Sequence, residues 1–93
     1  MNWPSTLVPY HRSPEFDETS VPENLLQEHT TKDGVWAMVR VLEGNMVFVD
    51  IGTGEETPVE PKKPAFIEPG QTHHIKVDGP VRFYVEFFRD ASM

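Results

Sequence analysis

From Val35 onward, apolar and polar positions alternate in short runs cut by glycine and proline turns, the pattern of strands rather than helices. Val35 to Leu42 and Met46 to Ile51 flank the turn Glu43-Gly44-Asn45 and together read as a hairpin. Gly52 to Glu56 is a loop tip, and Thr57 to Val59 is a short strand ended by Pro61. Ala65 to Ile67 is the next strand, stopped by Pro69-Gly70. His73 to Val77, the turn Asp78-Gly79-Pro80 and a long strand from Val81 to Phe88 come after it. Short strands with turns at this spacing predict an all-β sandwich or small barrel. Only Glu23 to His29 could hold a helical turn.

Residues 1–24 have a different character. Pro4, Pro9, Pro14 and Pro22 are too closely spaced for a long helix. Trp3, Leu7, Val8, Tyr10, Phe16 and Val21 are more apolar mass than a disordered tail carries. The segment is expected to form an extended arm laid on the barrel or on a partner subunit, which in turn predicts a homodimer. The 93 residues then form one domain, 1–93, with the arm over 1–24 and the barrel over 25–90.

A domain of this size has a thin core, which a metal or a subunit partner can reinforce. The chain has no cysteine, so disulfides, thiolate metal sites and cysteine nucleophiles are excluded together. Fifteen acidic residues against eight basic give a net charge of −7, which argues against nucleic acid and anionic membrane surfaces as partners. Met1-Asn2-Trp3-Pro4-Ser5 lacks the basic and apolar regions of a leader peptide, and a cytoplasmic location is expected.

The chemistry concentrates in Glu68-Pro69-Gly70-Gln71-Thr72-His73-His74-Ile75-Lys76-Val77, where a proline-glycine turn delivers a histidine to the start of a strand. Side chains alternate along a strand, so His73 shares a face with Ile75 and Val77, and His74 shares the other with Lys76. His73 is the inward one. In the last strand Val81, Phe83, Val85 and Phe87 form one face, and Arg82, Tyr84, Glu86 and Phe88 the other. If the polar face lines a cavity, Arg82, Tyr84 and Glu86 become site residues; if the apolar face is the core, Glu86 is exposed and pairs with Arg82. Trp36 reads as core or cavity wall, and Lys32 as a loop charge able to meet an anionic ligand.

Gly70-x-x-His73 resembles the second motif of the cupin superfamily, in which a glycine precedes a metal-ligating histidine by three positions. Val39-Arg40-Val41-Leu42-Glu43-Gly44 resembles the end of the first cupin motif. The glutamate of that motif falls on Ala37, and His29 alone stands where it has a histidine pair. More narrowly, Tyr10-x-Arg12-x-Pro14-x-Phe16, Val21-Pro22-x-x-Leu25-Leu26, His29-Thr30-Thr31-Lys32-x-Gly34-Val35-Trp36, Leu42-Glu43-Gly44, His73-His74-Ile75 and Phe83 to Phe88 together resemble the TehB/YeaR-like cupin domain. That resemblance implies a cupin-like double-stranded β-helix and an association with tellurite or nitrosative stress. It also implies His29, His73 and, in many members, Glu86 as site positions.

Two imidazoles and a carboxylate make an open site for a divalent metal: zinc, iron or nickel. The expected function is a metal-containing domain that binds a small-molecule or anionic ligand, with Trp36, Arg82, Tyr84 and Lys32 as candidate ligand contacts. A metal-dependent cupin enzyme (oxygenase, isomerase or lyase) and a metal-free interaction domain are the alternatives. The residues supply no clear second acid-base group, so binding ranks first.

Overall fold

The computed structural model describes residues 3–92. Met1 and Asn2, which belong to the N-terminal segment tested for a leader peptide, and Met93 lie outside the described residues. The chain runs β1 (Leu7–Arg12), β2 (Phe16–Asp17), α1 (Glu23–Leu26), β3 (His29–Thr30), β4 (Trp36–Gly44), β5 (Met46–Asp50), β6 (Glu56–Val59), β7 (Ala65–Ile67), β8 (Thr72–Lys76) and β9 (Val81–Asp90). All pairings are antiparallel. One sheet has the order β1-β9-β4-β7, with β2 also on β9; the other has the order β3-β8-β5-β6.

The alternation read from the sequence builds the core. Ala37, Val39 and Val41 of β4 and Val81, Phe83 and Val85 of β9 face Met46 and Phe48 of β5 and Ile75 of β8. Phe83 is completely buried. The apolar face of β9 is therefore the core face, and Arg82, Tyr84 and Glu86 lie on the outer face of the first sheet.

The expected hairpin at Glu43-Gly44-Asn45 is not formed. β4 bonds to β9 and β7, whereas β5 bonds to β6 and β8, so the turn is a corner at which the chain leaves one sheet for the other. Alternation reveals which face of a strand is buried; it does not distinguish a hydrogen-bonded neighbour from one packed face to face. Gly44 makes the corner possible. Its φ is +78°, and a Cβ there would collide with the Pro80 carbonyl. The true hairpin is β5–β6. Its tip is closed by Gly54 donating to the Asp50 carbonyl at 2.7 Å and by Gly52 donating to the Asp50 carboxylate at 2.8 Å.

The N-terminal segment is built into the first sheet. Leu7 to Arg12 and Phe16-Asp17 both pair with β9, so this stretch supplies strands of the domain itself. Trp3 caps the outer face by edge-on packing against Trp36, Phe66 and Phe88, with ring centroids 5.0–5.5 Å apart. The helical turn expected within Glu23 to His29 is α1. Among the described residues no helix is long and apolar enough to cross a membrane.

Candidate functional site

The edge strand β3 brings the two key histidines together. His29 and His73 are opposite partners across β3 and β8, although 44 positions separate them in the chain. Their ring centroids are 4.2 Å apart at an interplanar angle of 65°. His73 is 3% exposed and is backed by the Phe48 ring at 5.4 Å. His74 belongs to the opposite face of β8, as strand alternation requires.

Both rings are held in the same tautomer. The Nδ1 atom of His73 lies 2.9 Å from the Gln71 carbonyl, and that of His29 lies 3.2 Å from the Gln27 carbonyl. A carbonyl only accepts, so each Nδ1 carries a proton and donates it. In the neutral ring each Nε2 is then left with its lone pair. Burial pushes the His73 pKa below the ordinary histidine range; the Gln71 hydrogen bond opposes this shift and the neighbouring His29 adds to it. His73 is thus neutral near pH 7.

This shift sets a stability dependence on pH. In chelator, the unfolded chain binds a proton at His73 around pH 6.5 that the folded chain refuses. The contribution is fully present above that pH and is lost as pH falls toward the lower folded value. The expected slope from this one group is at most about 1.4 kcal/mol per pH unit. Urea titrations of the wild type and a His73→Gln variant check it: the variant should lose that part of the decline.

The support beneath His73 is Gln71. Its carbonyl also accepts from the Thr31 amide at 3.2 Å and the Thr31 hydroxyl at 3.3 Å. Its side chain accepts from the Glu68 amide at 2.9 Å and donates to the Asp50 carboxylate at 2.8 Å. Gly70, with φ of +76°, donates to the Thr31 carbonyl at 2.9 Å. The loop before β8 is therefore tied to the chain after β3, and the histidine pair is fixed from both sides. Sequence reading passed over Gln71 and Asp50, whose signal was only their proximity to His73 and to the Gly52-Thr53-Gly54 tip.

A hollow of about 420 Å³ opens beside the pair, between the sheets. His29, His73 and Lys32 line it, with Tyr10, His11, Leu25, Ala37, Ile67, Val85 and Phe87 among the other walls. His11, assigned no role from sequence, stacks on Phe87 at 5.6 Å. The pairing of β1 with β9 shifts register between Pro9 and His11, a bulge around Tyr10. Such an extra residue resets side-chain alternation and re-aims the side chains beyond it, so simple strand parity gives no clue to it.

Four other candidates lie away from this hollow. Trp36 is half-buried against Trp3 on the outer face. Tyr84 lies beneath the Arg12 guanidinium, whose central carbon is 3.8 Å from the ring centroid. Arg82 pairs with Glu15 and Glu43, each at 3.0 Å. Glu86 does not pair with Arg82; it accepts from the Arg40 Nε at 2.7 Å. The physical reason is common to all four: they occupy the outward positions of β4 and β9, while Ala37, Val85 and Phe87 take the inward ones.

Among the described residues, no set of three His, Asp or Glu side chains is arranged to hold a metal ion. Two imidazoles whose Nδ1 atoms are held by backbone carbonyls turn their Nε2 atoms into candidate ligands, and a borderline divalent cation would need other donors to complete its shell. Glu86→Gln is expected to leave metal uptake unchanged and to cost at most about 1 kcal/mol, because the Arg40 partner is 42% exposed and the pair is screened by water. Equilibrium denaturation and a zinc titration of the variant check both parts.

These features define a small β domain of two antiparallel sheets with an imidazole-lined hollow between them. The model of the TehB-like domain matches residues 11–85, and the chain belongs to that family. TehB from Haemophilus influenzae has a similar structure, with a TM-score of 0.81 and 23% identity over 92% of this chain. The match spans only 32% of the Haemophilus chain. A protein from E. coli strain K12 matches over 95% of both chains, with a TM-score of 0.85 and 17% identity. No curated protein matches.

Proposed function

We propose that this chain is a cupin-like metal-containing domain that binds a small ligand in the hollow between its sheets. His29 and His73 hold the divalent cation (zinc, iron or nickel) through their Nε2 atoms. The observation that carries this reading is the shared pinning of both Nδ1 atoms to backbone carbonyls, the outer-shell arrangement that orients metal-binding histidines. Burial supports it by keeping His73 unprotonated, the form that binds metal. When bound, the cation supplies positive charge and open coordination positions for a ligand. The family resemblance points to a role in tellurite, other oxyanion or nitrosative stress.

The test is metal analysis of protein purified without a histidine tag, followed by calorimetric titration with zinc. About one zinc per chain is expected. No binding above background in the presence of intact fold would reduce the chain to a metal-free interaction domain. The same proposal includes a homodimer, supported by the exposure of Tyr10, Leu26 and Phe66. Light scattering should then return twice the 10.6 kDa chain mass.

A further inference from the structure

The hollow between the sheets has two unlike walls. On the side of β3 and β8 stand His29, His73 and, just beyond β3, Lys32; on the side of β4, β7 and β9 stand Ile67, Val85 and Phe87. Tyr10 and His11, the latter stacked on Phe87, add two more rings to the lining. No carboxylate lines it, although the chain carries 15 acidic residues. His73 is the polar side chain buried here, at 3% exposure, and its Nδ1 is committed to the Gln71 carbonyl. Its Nε2 has no hydrogen-bond partner among the described residues, yet no buried side-chain nitrogen or oxygen among them is orphaned. Nε2 is therefore not sealed in the core; it opens onto the hollow that the ring lines.

This arrangement selects among ligand chemistries. The Nε2 lone pair of a neutral ring so held accepts and cannot donate, so a carboxylate or phosphate has no direct bond to make with either imidazole. An organic cation meets no carboxylate in the hollow, and the Lys32 ammonium repels it. A polyhydroxylated ligand would bury hydroxyls against Ile67, Val85 and Phe87 without partners. A purely apolar ligand would displace the water that Nε2 can bond and leave this acceptor unpaired. An uncharged molecule with one strong donor and an apolar body meets all four conditions.

We propose that the chain without a cation binds a small phenol in this hollow, its hydroxyl donating to the Nε2 of His73 and its ring lying on Ile67, Val85 and Phe87. This rests on the ligand-binding half of the reading above and needs no metal ion. A phenol suits both walls. Its hydroxyl, with a pKa of about 10, keeps its proton at neutral pH and donates more strongly than an aliphatic alcohol. Its ring packs edge-on or offset against the aromatic side chains of the lining. The volume of about 420 Å³ falls toward the small end of the roughly 300–1,000 Å³ usual for small-molecule sites, which suits a ligand of one ring.

The test uses the full chain labelled with nitrogen-15, in chelator throughout. 4-Methylphenol should move the amides of Ile67, Val85 and Phe87 and the side-chain Nε2 resonance of His73 saturably. Its methyl ether, which keeps the ring and loses the donor, should bind about tenfold more weakly or worse. Benzoate, which exchanges the donor for a charge, should do the same. His73→Phe keeps an aromatic ring without Nε2, and should bind the phenol and its ether equally. If that variant fails to fold, the comparison of the two ligands on the wild type decides alone. Ether or benzoate binding as tightly as the phenol would overturn the ligand class while leaving the hollow a ligand site. No response of the hollow to the phenol would overturn the proposal outright. A separate zinc titration without chelator reports on the metal reading: zinc uptake without phenol binding sinks this proposal alone, and phenol binding without zinc uptake sinks only the metal reading.

Discussion

Replacing His73 with alanine is expected to abolish metal uptake, while replacing His74 with alanine leaves it nearly intact. The contrast comes from the strand. His73 is turned inward beside His29, whereas His74 belongs to the other face of β8. With only two imidazoles converging, losing one leaves a single nitrogen ligand, and affinity for zinc should drop by at least about 100-fold, beyond the 10- to 100-fold typical of losing an outer-shell partner. The fold should survive the change. The Gln71 carbonyl released by the missing ring keeps both Thr31 donors, so no buried acceptor is orphaned. Calorimetry with zinc, alongside a thermal melt of each variant, checks the pair of expectations. Uptake lost in His74→Ala and kept in His73→Ala would mean that the facing of β8 is inverted and the proposed centre misplaced.

The largest expected effect on stability is at Gly44. An alanine there must take up a left-handed backbone at φ of +78°, which costs about 1–2 kcal/mol in itself. Its Cβ must also displace the Pro80 carbonyl, part of the backbone just before β9. Both penalties fall on the corner where β4 leaves the first sheet and against the entry of the central strand β9. The combined loss is expected to reach about 3 kcal/mol or more, which for a domain of this size lowers Tm by roughly 12 °C or more. Gly54→Ala, at nearly the same φ but in open space, serves as the control and should cost only the backbone part. Equal losses at the two positions would show that the corner does not depend on close approach to Pro80.

These two positions also mark the kinds of information the chain carries. Local rules were enough for the strands from β4 to β9. Alternation in β8 placed Ile75 on the inward face with His73 and separated His73 from His74, and in β9 it divided Val81, Phe83, Val85 and Phe87 from Arg82, Tyr84, Glu86 and Phe88. Proline and glycine placed the breaks, and the helical potential near Glu23 was confined to one short turn. The same alternation left the role of Glu86 undecided, since either face of β9 could have been the cavity wall. Packing decided it: the apolar face met the second sheet, and Glu86, Arg82 and Tyr84 were left outside with Trp36.

The sequence by itself therefore determined the strands from β4 to β9, their breaks and which side chains of a strand share a face, because these depend on the geometry of a few consecutive residues. Only the tertiary structure decided which strands bond and which merely face each other, so the apparent hairpin at Gly44 became a corner between sheets. It likewise decided that His11 joins His29 and His73 beside a common hollow, through a bulge that resets parity at Tyr10. It also made Gln71 the support of the site, through contacts from Thr31, Glu68 and Asp50. Each of these depends on the path by which distant segments return to one another, and the energy that selects that path is shared across the whole core rather than encoded at any one position.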